Sequence, residues 1–93
     1  MGFNIEVKDE FIKNSSALSS KLKTRIFNFI FKTLPDSEFP YGLFEKMTGF
    51  KNYYKKRFGD YRLGVEINKE SKIISILTIM HRKEIYRYFP PKH

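Results

Sequence analysis

The chain of 93 residues has no cysteine and no tryptophan, only two histidines and no long apolar run. Without cysteine there is no disulfide framework, no thiolate zinc site and no cysteine nucleophile. Two histidines, one of them the last residue, cannot build an all-histidine metal cluster. The length excludes a cofactor-binding enzyme of several βαβ units, so any chemistry rests on a few side chains around one small core. The longest apolar stretch, Ile73 to Met80, carries Ser75 and Thr78 and falls far short of the ~20 residues that span a membrane. The first residues alternate apolar and polar rather than forming the apolar segment of a signal peptide, and the expectation is a soluble cytoplasmic protein.

What is present is a foldable core and an uneven charge. Hydrophobic residues make up 41% and aromatics 17%, enough for packing despite 30% charged residues. The net charge is +8, from 18 Lys and Arg against 10 Asp and Glu. Residues 1–45 carry six basic and six acidic side chains, so the whole excess lies in residues 46–93. A one-sided field of this kind gathers a polyanion or an acidic partner, although a Lys-rich surface more commonly serves solubility alone.

One α+β domain over 1–93 is expected. Phe3, Ile5 and Val7 alternate with polar neighbours as in a half-buried strand. Asp9 can cap a first helix whose stripe is Phe11, Ser15, Leu18 and Leu22, with a break near Ser19-Ser20 because short hydroxyl side chains compete for the backbone. A second helix runs from about Lys21 to Thr33, with Leu22, Ile26, Phe29 and Ile30 on one face and Phe27 and Phe31 beside it. Such an aromatic face could adsorb to a membrane, but a core helix laid over a sheet explains it with fewer assumptions. After an irregular connection ending near Gly49 comes a three-strand meander: Tyr53 to Phe58, Tyr61 to Ile67 and Ile73 to Met80. The two helices are expected to pack on an antiparallel sheet that this meander completes.

Gly59-Asp60 is a two-residue hairpin signal, and it sets a register with Arg57 opposite Arg62, Lys55 opposite Gly64 and Tyr53 opposite Glu66. Parity then puts Tyr54, Phe58, Tyr61, Leu63 and Val65 on the core face, and Tyr53, Lys55, Arg57 and Arg62 together on the other. Pairing Ile67 with Ile73 continues the meander; Leu77, Ile79 and His81 then share the core face, Thr78 lies opposite Arg62, and Arg82 joins the cations if the strand persists that far. Arginine facing arginine repels by roughly 0.2–1 kcal/mol, which folding alone would not favour. Converging guanidinium groups do suit phosphate, and aromatic rings among cations suit unstacked bases of single-stranded RNA. Ile74, Ile76, Thr78 and Met80, with the parity of Arg82, form either an apolar landing strip for a partner or a surface buried under the segment from Arg82 to Phe89, which Pro90-Pro91 end.

The segments Glu45-Lys46-Met47-Thr48-Gly49, Tyr54 to Leu63 with Gly59-Asp60-Tyr61-Arg62, and Ile79 to Tyr86 with His81-Arg82-Lys83-Glu84-Ile85-Tyr86 resemble the RelE family of bacterial and archaeal toxins. The order of strand, two helices and meander is similar as well. The resemblance implies a type II toxin that cleaves messenger RNA in the ribosomal A site and is silenced by a cognate RelB-like antitoxin, expected to be acidic where it contacts the cations. The implied reaction is attack of a ribose 2′-hydroxyl on the adjacent phosphate, with neither metal nor cofactor. By the same resemblance Lys55 contacts phosphate, Arg62 stabilises the transition state, Arg82 stabilises or protonates the leaving group, and Tyr86 stacks on or orients the substrate.

Arg57 stands where some members carry a lysine proposed as general base; a guanidinium that keeps its proton binds phosphate instead. The open base position has two candidates, His81, since imidazole is the side-chain type suited to proton transfer near neutral pH, and Lys55, flanked by cations. Lys51, Tyr53, Lys55, Arg57 and Lys83 complete the expected RNA contacts. Two rivals stand beside this reading: a ParE-like toxin acting on DNA gyrase, whose group generally lacks the arginine, lysine and tyrosine set, and a basic RNA- or ribosome-binding module without chemistry. Neutralising the remaining cations Lys46, Lys69, Lys72, Lys83 and Arg87 is expected to weaken RNA binding and to reduce its salt slope by about one for each phosphate no longer neutralised, read by binding titrations across salt concentrations.

Overall fold

The computed structural model describes residues 2–90, so Pro91 and the terminal histidine lie outside the described residues. Strand β1 (Asn4–Val7) leads into α1 (Asp9–Ser15) and α2 (Ser20–Asn28). Asp9 is the first residue of α1 rather than its cap, which is Lys8; the side chain of Ser19 caps α2 by accepting from the Leu22 amide at 3.3 Å. The serines thus break the helix as expected, since a hydroxyl that satisfies an orphan amide starts a helix better than it fills one. From Phe29 to Thr33 the helix widens into a π turn, with the Leu34 amide reaching the Phe29 carbonyl at 2.8 Å.

A single turn of 3-10 helix (Pro40–Leu43) then leads to β2 (Glu45–Lys46), β3 (Tyr53–Phe58), β4 (Tyr61–Asn68), β5 (Ile73–His81) and the short α3 (Ile85–Tyr88). The sheet order is β1-β5-β4-β3-β2. It is mixed rather than antiparallel throughout: β1 joins β5 in parallel, because the chain between them crosses the sheet and returns in the same sense. Two residues of β2 are too few to show a period in the sequence.

One layer of helices covers one face of the sheet. Phe11, Ile26, Phe29, Ile30 and Leu34 meet Tyr54, Phe58, Leu63, Val65, Ile67, Ile74, Ile76 and Ile79 in one core. Phe31 remains 54% exposed, so only part of the expected aromatic face is buried. The opposite face has a smaller cluster of its own, in which Met47, Ile85 and Phe89 pack with Tyr53, Leu77 and Met80.

The β3–β4 hairpin has the expected register, with Arg57 opposite Arg62 and Lys55 opposite Gly64. Of the two turn residues only Gly59 has a positive φ (60°), the pattern of a type II′ turn, where an L side chain would be strained. The β4–β5 register differs. Ile67 faces Ile74, and beyond an irregularity between Gly64 and Val65 the residue opposite Arg62 is Met80, not Thr78. The added residue, Leu77, leaves the core face and joins the second cluster. Ile79 and His81 stay on the expected core face, now opposite Leu63 and Tyr61, because the full shift is two residues, which preserves parity. The landing strip is covered by the chain itself: Ile74 and Ile76 lie in the main core, Thr78 is buried and donates to Asn14 Oδ1 at 2.7 Å, and Met80 packs in the second cluster.

Gly64 is what lets the C-terminal segment dock. A Cβ there would lie 2.9 Å from Cδ1 of Phe89, inside the contact limit of the ring. Gly64→Ala is expected to destabilise the fold by about 1–3 kcal/mol through overpacking, measured by thermal unfolding. In a Phe89→Leu background the same change is expected to cost much less, since the clash is with the ring.

Candidate nucleic-acid interface

The open face of β3 and β4 collects the cations, and the hairpin register is the reason. Lys55 and Arg57 are two residues apart on β3, and Arg62 stands directly opposite Arg57 and diagonal to Lys55. Direct cross-strand neighbours have Cβ atoms about 4.5–5.5 Å apart and diagonal ones about 7–8 Å, a span that long side chains close around one phosphate.

Lys55 is the most constrained member. Its ammonium donates to the Tyr86 hydroxyl at 2.7 Å and lies 3.8 Å from the Glu45 carboxylate. The side chain is only 18% exposed, while that of Glu45 is 76% exposed. The ammonium also lies over the Tyr86 ring, 4.8 Å from its centroid, so Lys55 engages both the hydroxyl and the ring. Tyr86 itself is 56% exposed, held at its base by its neighbour Ile85 and by Phe89 in the second cluster. Beside this unit a groove of about 370 Å³ runs along Gly42 to Glu45 and Lys55 to Arg57.

At the turn end, Arg62 Nη1 donates to the carbonyls of Gly59 (2.8 Å) and Tyr61 (3.0 Å). The Arg82 amide donates to the Asp60 carbonyl at 2.7 Å, and its Nε lies 3.8 Å from Asp60 Oδ1. The strand does not carry Arg82 onto this face, because β5 ends at His81; the turn does.

Lys55, Arg57, Arg62, Arg82 and Tyr86 are therefore brought around one open face. The other expected residues are elsewhere. His81 shares the core side with Tyr61, stacks edge-on against it at 5.6 Å, and accepts from the Lys83 amide at Nδ1 (3.1 Å). Lys83 is exposed in the turn after β5. Lys51 lies at the other end of β3, in a groove with Lys46, Asn52, Asn68 and Lys69. Tyr53 is half-buried and packs edge-on against Phe89 at 5.5 Å, so its ring is a wall rather than a free stacking platform. Among the described residues no group of three or more His, Cys, Asp or Glu could hold a metal ion.

Sequence reasoning assigned no role to Glu45, Asp60 or Gly64. Glu45 becomes visible only through its pairing with Lys55 across a two-residue strand. Asp60 reads in sequence as a turn residue, and the contact that matters is with Arg82, twenty-two residues on.

A small α+β domain with one helical layer on a five-stranded mixed sheet is the architecture of the RelE toxins. The family model for the ParE toxin of type II toxin-antitoxin systems matches residues 5–86. Toxin RelE3 of Methanocaldococcus jannaschii is 46% identical over 46 residues, 50% of this chain, and the match spans about half the length of that relative. In the crystal structure of a RelB-RelE antitoxin-toxin complex from Methanococcus jannaschii, a chain 30% identical superposes with a TM-score of 0.73, covering 91% of this chain and 99% of its own. The RelBE2 toxin-antitoxin complex of Mycobacterium tuberculosis contains a chain 19% identical with a TM-score of 0.72, covering 88% of this chain and 100% of its own, a likeness of fold. The chain belongs to the RelE/ParE family of type II toxin-antitoxin toxins.

Burial, helped by the nearby Glu66 charge, raises the Tyr53 phenol above its ordinary value near 10. A folded-state value above the unfolded one gives a contribution to stability that is intact below about pH 10 and is lost as pH rises through the folded-state value. Thermal melts across that alkaline range are expected to fall less steeply for Tyr53→Phe than for the parent.

Proposed function

We propose that this chain is a ribosome-dependent messenger-RNA endoribonuclease, the toxin of a pair whose antitoxin covers the cationic face. The observation that supports the reading is the shared face of β3 and β4 on which Lys55, Arg57 and Arg62 are direct or diagonal neighbours, with Tyr86 bound to Lys55. An edge-to-edge assembly of like charges opposes folding and finds its use when an anion enters.

In this reading the 2′-oxygen of a ribose attacks the adjacent phosphorus as the bond to the 5′-oxygen breaks, leaving a cyclic phosphate and a 5′-hydroxyl. Arg57 and Arg62 surround the crowded phosphorane and neutralise the charge that develops on it. Arg82 stabilises the leaving oxygen. The exposed ring surface of Tyr86 takes the neighbouring base. With His81 turned to the other side of the sheet, the groups beside the phosphate that can pass a proton are Lys55 and the Glu45 carboxylate at 3.8 Å from it. No step calls for a metal. An antitoxin segment that is acidic where it crosses Lys55, Arg57 and Arg62 would occupy the place of the phosphate.

The family model carries the ParE name, which favours a second reading in which the target is DNA gyrase. Primer extension on a translated message, run beside a gyrase supercoiling assay, separates the two. Cuts within codons of ribosome-bound message are expected, with supercoiling unchanged; lost supercoiling with intact message would overturn the ribonuclease reading. Arg62→Ala and Arg82→Ala are each expected to lower cleavage by roughly 10²-fold or more, the scale of removing one donor to a developing charge, and to relieve growth arrest while melting like the parent.

A further inference from the structure

The turn that closes the β3–β4 hairpin holds both turn-end arginines by one edge each. Arg62 is held at Nη1 by the carbonyls of Gly59 and Tyr61. Asp60 meets Arg82 twice: the Arg82 amide donates to the Asp60 carbonyl at 2.7 Å, which fixes the backbone, and the Arg82 Nε faces Asp60 Oδ1 at 3.8 Å, an ion pair longer than a hydrogen bond. Asp60 is the carboxylate that pairs with Arg82 at the turn end of the hairpin that carries Arg57 and Arg62. Without it the positive field of Arg57 and Arg62 would drive the Arg82 guanidinium outward. A guanidinium whose Nε edge is occupied still presents its two terminal nitrogens, and that pair forms the bidentate donor for phosphoryl oxygens.

We propose that Asp60 is a positioning residue for Arg82: its carboxylate takes the Nε edge and turns the terminal nitrogens toward the oxygen that leaves the phosphate. The inference rests on the ribonuclease reading above and adds to it a residue that touches no substrate. Asp60 acts after binding, so its loss lowers the rate of the chemical step more than the affinity for message. The pair is open to solvent, Arg82 57% and Asp60 68% exposed, so its effect is modest and falls with salt.

The test compares Asp60→Asn, which keeps the turn and its backbone carbonyl, with Asp60→Glu, in single-turnover cleavage of ribosome-bound message. Asp60→Asn is expected to lower the maximal rate by about 2- to 5-fold, the scale of an exposed charge pair, with half-saturation nearly unchanged and Asp60→Glu partly restoring the rate. In an Arg82→Lys background, which has no Nε edge, Asp60→Asn is expected to add little. A full additive loss in that background, or no loss in the parent, would overturn the proposal. Nitrogen-detected NMR of the Arg82 Nε–H supplies a readout independent of cleavage: its shift and solvent exchange are expected to change in Asp60→Asn while the melting temperature holds. An unchanged Nε–H signal overturns the proposal even if the parent proves not to cut message, an outcome that by itself counts only against the ribonuclease reading.

Discussion

The Phe89 ring lies flat against Gly64 at a distance that admits no Cβ, and the working face depends on that contact. Phe89 and Ile85 bury one side of the C-terminal segment against Met47, Leu77 and Met80. Their burial decides where the next turn of chain stands, and so brings the Tyr86 hydroxyl to Lys55. Each of these apolar groups contributes on the order of 1.5–3 kcal/mol when fully buried, several times the contribution of an exposed ion pair. Placement of the polar groups is therefore set by packing, and their mutual electrostatics adjusts it.

Electrostatics works against the fold at the other end of the site. Arg57 and Arg62 face each other directly, and Arg82 is brought alongside by the turn. The molecule tolerates this by giving each turn-end arginine a local partner, backbone carbonyl acceptors for Arg62 and an ion pair with the Asp60 carboxylate for Arg82. Lys55 has Glu45 and Tyr86. The cations are thus held in place but incompletely neutralised, a state that an incoming phosphate or an acidic segment relieves.

Much of this was legible in the residues because short-range rules produce it. Ser19 starts α2 through its hydroxyl, Gly59 allows the turn through its positive φ, and the alternation in 53–58 and 61–67 sets which face each side chain takes. Those rules fail where one extra residue enters a strand. Leu77 has the same apolar character as its neighbours, so nothing local distinguishes the residue that leaves the ladder. The parallel docking of β1 and the two-residue β2 also rest on contacts between segments far apart in sequence. For the same reason Glu45 and Asp60 went without roles: each acquires one only from a partner that the sheet brings to it.

The sequence by itself determined the helix-and-meander order, the hairpin register and the grouping of Lys55, Arg57 and Arg62, because turn chemistry and the two-residue period of a strand act between near neighbours. Only the tertiary structure decided that Leu77 leaves the core face, that Ile74 and Ile76 are interior, that Tyr86 meets Lys55 and that Asp60 faces Arg82. Those outcomes depend on a bulge and on the docking of a terminal segment, whose energies come from long-range burial that no local pattern encodes.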